Sequence, residues 1–160
     1  MAQHASHAAE HESPAGAVSW SMAAQATLHC LTGCAIGEVL GMVIGTSIGL
    51  SDWETVGLAV ALAFLFGYAL TMRGVLRVGV PFRQALKVAL AADTVSILVM
   101  EIVDNAIMLT VPGAMEAGIA SWLFWGALAF ALAVAFVVTL PINRWMIGRG
   151  KGHAVVHQFH

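Results

Sequence analysis

Four acidic residues, Glu38, Asp93, Glu101 and Asp104, stand inside stretches built otherwise from apolar and small residues. An ionised carboxylate near the centre of a bilayer costs roughly 2.5–3.5 kcal/mol on insertion scales, so four would cost about 10–14. The seven Lys and Arg residues all lie at or beyond the ends of those stretches, so no local basic partner offsets the charge. A bound cation, a hydrated cavity or protonation would each do so. The first two indicate a cation site or path, the third proton traffic. Cys30 and Cys34 add two thiols one helical turn apart, and with Glu38 they span about 80° of a helix surface; Met42 continues the series. Such a thiol pair can grip a soft or borderline metal ion. His29 points about 100° away from Cys30. A ligand role for it requires a neighbouring helix or a local distortion, and capping or an interfacial hydrogen bond is the alternative.

The second half carries a matching stripe. Relative to Asp93, Met100 lies at about −20°, Asp104 at about +20°, Met108 at about +60° and Glu101 at about +80°, with Ser96 and Asn105 at the flanks. A polar stripe in a membrane helix should face protein or water. Hydrogen bonding between protonated acids is the structural alternative, yet it yields only about 0.6 kcal/mol per contact in membranes. The expected metal-ligating set is therefore His29, Cys30, Cys34, Glu38, Asp93, Glu101 and Asp104. Met42 and Met100 are accessory donors. His153, His157 and His160, spaced four and three apart, would share a face on one helical turn and form a further accessory set; His4, His7 and His11 repeat that spacing near the N-terminus. Thiolates and thioethers favour copper(I), imidazole suits zinc, copper or iron, and carboxylates admit harder ions, so the identity of the transition-metal ion stays open.

Positioning these groups requires four helices. Apolar stretches cover about 22–50, 53–72, 86–110 and 119–141, each near the roughly 20 residues of a transmembrane span. A hydrophobic fraction of 59% against 10% charged residues suits an outer surface that faces lipid. A net charge of −2 offers no basic face for nucleic acid, so no such partner is expected. No secretory signal peptide is evident in the first 20 residues, and two cysteines in one apolar stretch argue against a disulfide framework. Arg73, Arg77, Arg83 and Lys87 follow the second stretch and Arg144, Arg149 and Lys151 the fourth, whereas Asp52, Glu54 and Glu116 mark the other two turns. The positive-inside rule then places both termini and the middle loop in the cytoplasm. Trp20, Trp53, Trp122 and Trp145 fall near span ends, where indoles are favoured. Residues 1–20 read as a flexible His-containing tail, 21–142 as the transmembrane domain and 143–160 as a basic, His-containing cytoplasmic tail. The two halves share an order of polar helix, apolar helix and basic stretch, which suggests two parallel helical-hairpin repeats. Gly33, Gly37, Gly41, Gly45 and Gly49 recur every fourth residue and form a ridge for close helix packing.

The blocks HCLTGCAIGEVLGMVIG, AADTVSILVMEIVDNAIM and LPINRWMIGRGKGHAVVH resemble a family of small bacterial membrane proteins catalogued as a domain of unknown function. The resemblance spans about residues 27–157 and rests on the string His-Cys-x-x-Gly-Cys followed by Gly-Glu. It implies a helical membrane fold whose signature is His29, Cys30, Cys34 and Glu38, with an association with copper handling.

Together these readings predict an all-α polytopic membrane protein of four transmembrane helices, with the first and third running in the same direction. If those two are adjacent, His29 and Cys30 match Asp93 in depth, Glu38 matches Glu101, and Met42 approaches Asp104. The expected function is binding and transport, or channel conduction, of a transition-metal ion by a homo-oligomer, and no enzymatic activity is indicated. The alternatives are a membrane redox protein, using the thiol pair, a haem or a quinone, and a structural subunit docked on partner membrane subunits.

Overall fold

The computed structural model describes residues 18–149. Four α-helices account for nearly all of them: α1 (Trp20–Ile48), α2 (Asp52–Arg77), α3 (Phe82–Thr110) and α4 (Trp122–Gly148). There is no strand among the described residues.

Local chemistry sets the boundaries. The hydroxyl of Ser19 accepts from the Met22 amide at 3.1 Å and caps α1. Gly49 closes it in the left-handed region at φ 73°, and its N–H reaches the carbonyls of Gly45 and Thr46. Gly49 therefore ends the helix and meets no neighbour, so it drops out of the expected packing ridge. Ser51 opens α2, and its amide and hydroxyl both donate to Glu54 Oε2, at 2.9 and 2.7 Å. Gly79, at φ 86°, and Pro81 turn the chain into α3. The hydroxyl of Ser121 caps α4 by accepting from the Leu123 amide at 3.1 Å.

The helix ends correct the sequence boundaries. Helix α2 runs five residues past the second apolar stretch and α3 begins four before the third, so Arg73, Arg77, Arg83 and Lys87 sit on helix ends rather than in a loop. All four are exposed, so their charged heads reach water. Helix α4 continues through Pro141 to Gly148 and takes up Asn143 and Arg144, which the sequence boundary assigns to the tail. Arg144 ties this end of α4 to the start of α1: its Nε donates to the Val18 carbonyl at 3.2 Å and its guanidinium stacks 4.0 Å from the Trp20 ring centre.

Helix α1 packs antiparallel to α2 along the glycine ridge. A Cβ on Gly33 would lie 2.8 Å from the Gly67 backbone, one on Gly41 2.6 Å from Ala59, and one on Gly37 would overlap Ala63. Gly45 faces Thr55 in the same way. Helices α1 and α3 also touch, across the bundle, while α2 and α4 flank them. That diagonal contact is the centre of the molecule, and the helices run through it in the same direction.

Helices α1, α2 and α4 are each long and apolar enough to cross a membrane. Helix α3 has the same 29-residue length as α1, but Asp93, Glu101 and Asp104 keep its composition out of that class. The surface between the helix ends is apolar: Leu65, Ile102, Phe130 and Val137 are all about 60% exposed or more, a surface compatible with lipid contact.

Candidate functional site

The diagonal contact of α1 and α3 brings together most of the residues expected from the sequence. Cys30, Cys34, Glu38 and Met42 are buried on α1, and Asp93, Met100, Glu101 and Asp104 on α3. The register is set by four-residue spacing on α1 and by the mixed three- and four-residue spacing of the α3 stripe, so the two polar strips meet along the bundle axis.

Three layers succeed one another. In the first, Cys30 Sγ donates to Asp93 Oδ1 at 3.7 Å. In the second, Cys34 Sγ lies 3.9 Å from Met100 Sδ, with Glu101 beside the same thiol. In the third, Glu38 faces Asp104 and Asn105. Asn105 Nδ2 donates to Glu101 Oε2 at 3.2 Å and to the Glu101 carbonyl at 2.9 Å. Four carboxylate oxygens, Glu38 Oε1, Glu101 Oε1 and both of Asp104, are buried with no hydrogen-bond partner among the described residues. No Lys, Arg or His is among the buried side chains described, so no fixed positive charge faces them.

The arrangement is a column, not a single ligand sphere. Among the described residues no three His, Cys, Asp or Glu side chains come close enough together to hold one metal ion. Of the seven residues expected as one metal set, six are thus distributed over successive layers, because their spacing carries them along the helices. His29 Nε2 lies 2.9 Å from Thr71 Oγ1 on α2. His153, His157 and His160, like His4, His7 and His11, lie outside the described residues.

Two residues absent from the sequence reading join the column at its first layer. Asn143 of α4 is fully buried, its Nδ2 donating to Thr27 Oγ1 at 2.9 Å and its Oδ1 accepting from Ser96 Oγ. Thr27 in turn donates to the Ala23 carbonyl at 2.7 Å. The signal was present in the sequence: Asn143 is a lone amide close behind the most apolar stretch of the chain, and a polar group there requires partners. Such a layer can bind or pass a cation through neutral oxygens, and it ties α1, α3 and α4 together.

No curated protein and no solved structure matches the chain. Residues 19–152 match the family described as Domain of unknown function (DUF4396), a span that takes in all four helices and the whole α1–α3 column. The chain belongs to the DUF4396 family.

Proposed function

We propose that the protein binds a transition-metal ion, copper, zinc or iron, within a bacterial inner membrane and conducts it along the α1–α3 column. The observation that carries this reading is the set of four buried carboxylate oxygens with no hydrogen-bond partner and no buried basic side chain among the described residues. Hydrogen bonds among protonated acids would recover only about 0.6 kcal/mol each. A cation passing between the helices would stabilise the charged forms directly.

The donor chemistry fits such a cargo. A metal–thiolate bond is about 2.3 Å long, so two sulfurs up to roughly 4.6 Å apart can flank one ion. The 3.9 Å between Cys34 Sγ and Met100 Sδ falls within that reach. Cys30 and Asp93 stand one turn away on one side, Glu38, Glu101 and Asp104 on the other, so an ion would move between soft and hard donors. Binding requires deprotonated thiols and carboxylates and therefore weakens as pH falls.

In this reading α3 is the fourth span. Its acids all turn inward, and its outer face is Leu90, Val95, Leu98, Ile102 and Leu109, which suits lipid. By the positive-inside rule, the basic helix ends support a cytoplasmic side for both termini. A bundle of four helices makes a thin wall around a path, which favours assembly as a homo-oligomer or with partner membrane subunits. Elemental analysis of protein purified without a His tag tests the reading. The wild type should retain copper or zinc near one equivalent, and Cys30→Ser with Cys34→Ser should lose most of it while remaining helical by circular dichroism. Full metal content in the double variant would remove the thiols from the site.

A further inference from the structure

A small cavity opens at the end of the bundle remote from the arginines, between the α1–α2 turn and the α3–α4 loop. Its volume is about 60 Å³, and it is lined by Met42, Thr46, Asp52, Thr55 and Met115, with Leu50 at the rim. A water occupies roughly 30 Å³, so the space suits one ion with a water. Asp52 is exposed and Met42 is buried, so the cavity leads from the surface into the bundle. Met42 stands one helical turn beyond Glu38 on α1, and Met108 one turn beyond Asp104 on α3. Both belong to one packed cluster that Met115 joins from the loop. Two thioether residues, from α1 and the α3–α4 loop, thus line the cavity, and Met108 of α3 packs in the same cluster.

We infer that this cavity is a capture site for a soft monovalent cation, copper(I) in chemistry, held by the thioethers of Met42 and Met115 with Met108 behind them. Thioether sulfur is uncharged and soft, so it selects copper(I) or silver(I) over zinc and harder ions. Asp52 supplies the long-range attraction at the mouth. The neutral donors hold the ion without trapping it, and Glu38 and Asp104 lie one turn further in. The inference deepens the metal-conducting reading by naming the ion class and the end at which it is captured. Neither of the structural alternatives, apolar filling of the bundle end or a water pocket, gives selectivity between silver and zinc.

The probe is silver(I), which has the coordination preferences of copper(I) and does not change oxidation state during the measurement. Calorimetric titration of the detergent-solubilised Cys30→Ser, Cys34→Ser protein isolates the thioethers. That protein should still bind silver, and zinc heat from the column carboxylates and the histidines should not change when the thioethers are replaced. Adding Met42→Leu and Met115→Leu, which conserve volume, should weaken silver binding at least tenfold with the helical signal unchanged. Met72→Leu on α2, outside both the cavity and the column, should leave it within twofold in the same thiol-less background. Undiminished silver binding after the two leucine substitutions would overturn the inference, as would an equal loss of zinc binding or no silver binding at all in the thiol-less protein. The metal-conducting reading fails separately, by wild-type protein that neither retains nor passes a transition metal.

Discussion

Asn143 shows how a single amide constrains three helices at once. Its side chain is fully buried and links Thr27 on α1 to Ser96 on α3, one turn from the Cys30–Asp93 contact. Replacing it with Leu keeps an apolar body in place but leaves Ser96 without that acceptor. Thr27 still has the Ala23 carbonyl, so the loss is partial. Hydrogen bonds between membrane helices average about 0.6 kcal/mol and reach about 1.7. Asn143→Leu should therefore lose about 1 kcal/mol in a reversible unfolding titration, and a stability equal to wild type would mean that this network carries no load. At this scale the sequence was informative where a residue type is costly in lipid. Glu38, Asp93, Glu101 and Asp104 could be identified by that cost alone, and all four are buried. His29 could not be placed, because its partner Thr71 comes from α2 and nothing in the linear spacing specifies which neighbour a face will meet. The cavity residues Asp52 and Met115 were equally silent, since each is ordinary in its own segment and acquires meaning only when the turn and the loop come together.

At the scale of the elements, glycine decides the tightest seam. The ridge from Gly33 to Gly45 is occupied by α2 of the same chain, so it does not remain available as a surface for self-association. Any homo-oligomer must use another face. Close approach follows from the absent Cβ: at Gly37 the Ala63 backbone stands where a side chain would begin. Gly37→Ala should cost about 1–3 kcal/mol, the range for overpacking a closely fitted interior. Gly57→Ala, on α2 with open space around it, should be neutral or slightly stabilising because alanine is the better helix former. Equal effects of the two substitutions in thermal unfolding would show that α1 and α2 do not pack through this ridge. The period of four was plain in the sequence, and with it the existence of a ridge, but not the partner. The helix ends were less legible. Pro141 marks no end because α4 has Arg144 anchored on Trp20 and Val18 just beyond it, a contact between distant parts of the chain.

On the scale of the whole molecule, a central pair of polar strips is enclosed by an apolar exterior. Helix α3 joins the two: it buries three acids and presents leucine, valine and isoleucine outward. Average hydropathy masks this division, because one inward stripe lowers the value for the entire helix. The four-helix architecture was legible from segment lengths, whereas the diagonal adjacency of α1 and α3 was only a condition of the reading until the fold supplied it. Along that diagonal, Glu101 stands between the thiol layer and the Glu38–Asp104 layer, with Asn105 fixing one of its oxygens. It is the residue an ion on this route must pass. The most direct test is metal uptake into proteoliposomes containing the purified protein, read with a metal-sensitive dye inside. Wild-type protein should pass copper(I) well above protein-free vesicles, and Glu101→Gln, which keeps the shape and removes the charge, should lower the flux at least tenfold with the fold intact. Flux in Glu101→Gln equal to wild type, or wild-type flux no greater than that of empty vesicles, would contradict conduction along the α1–α3 column.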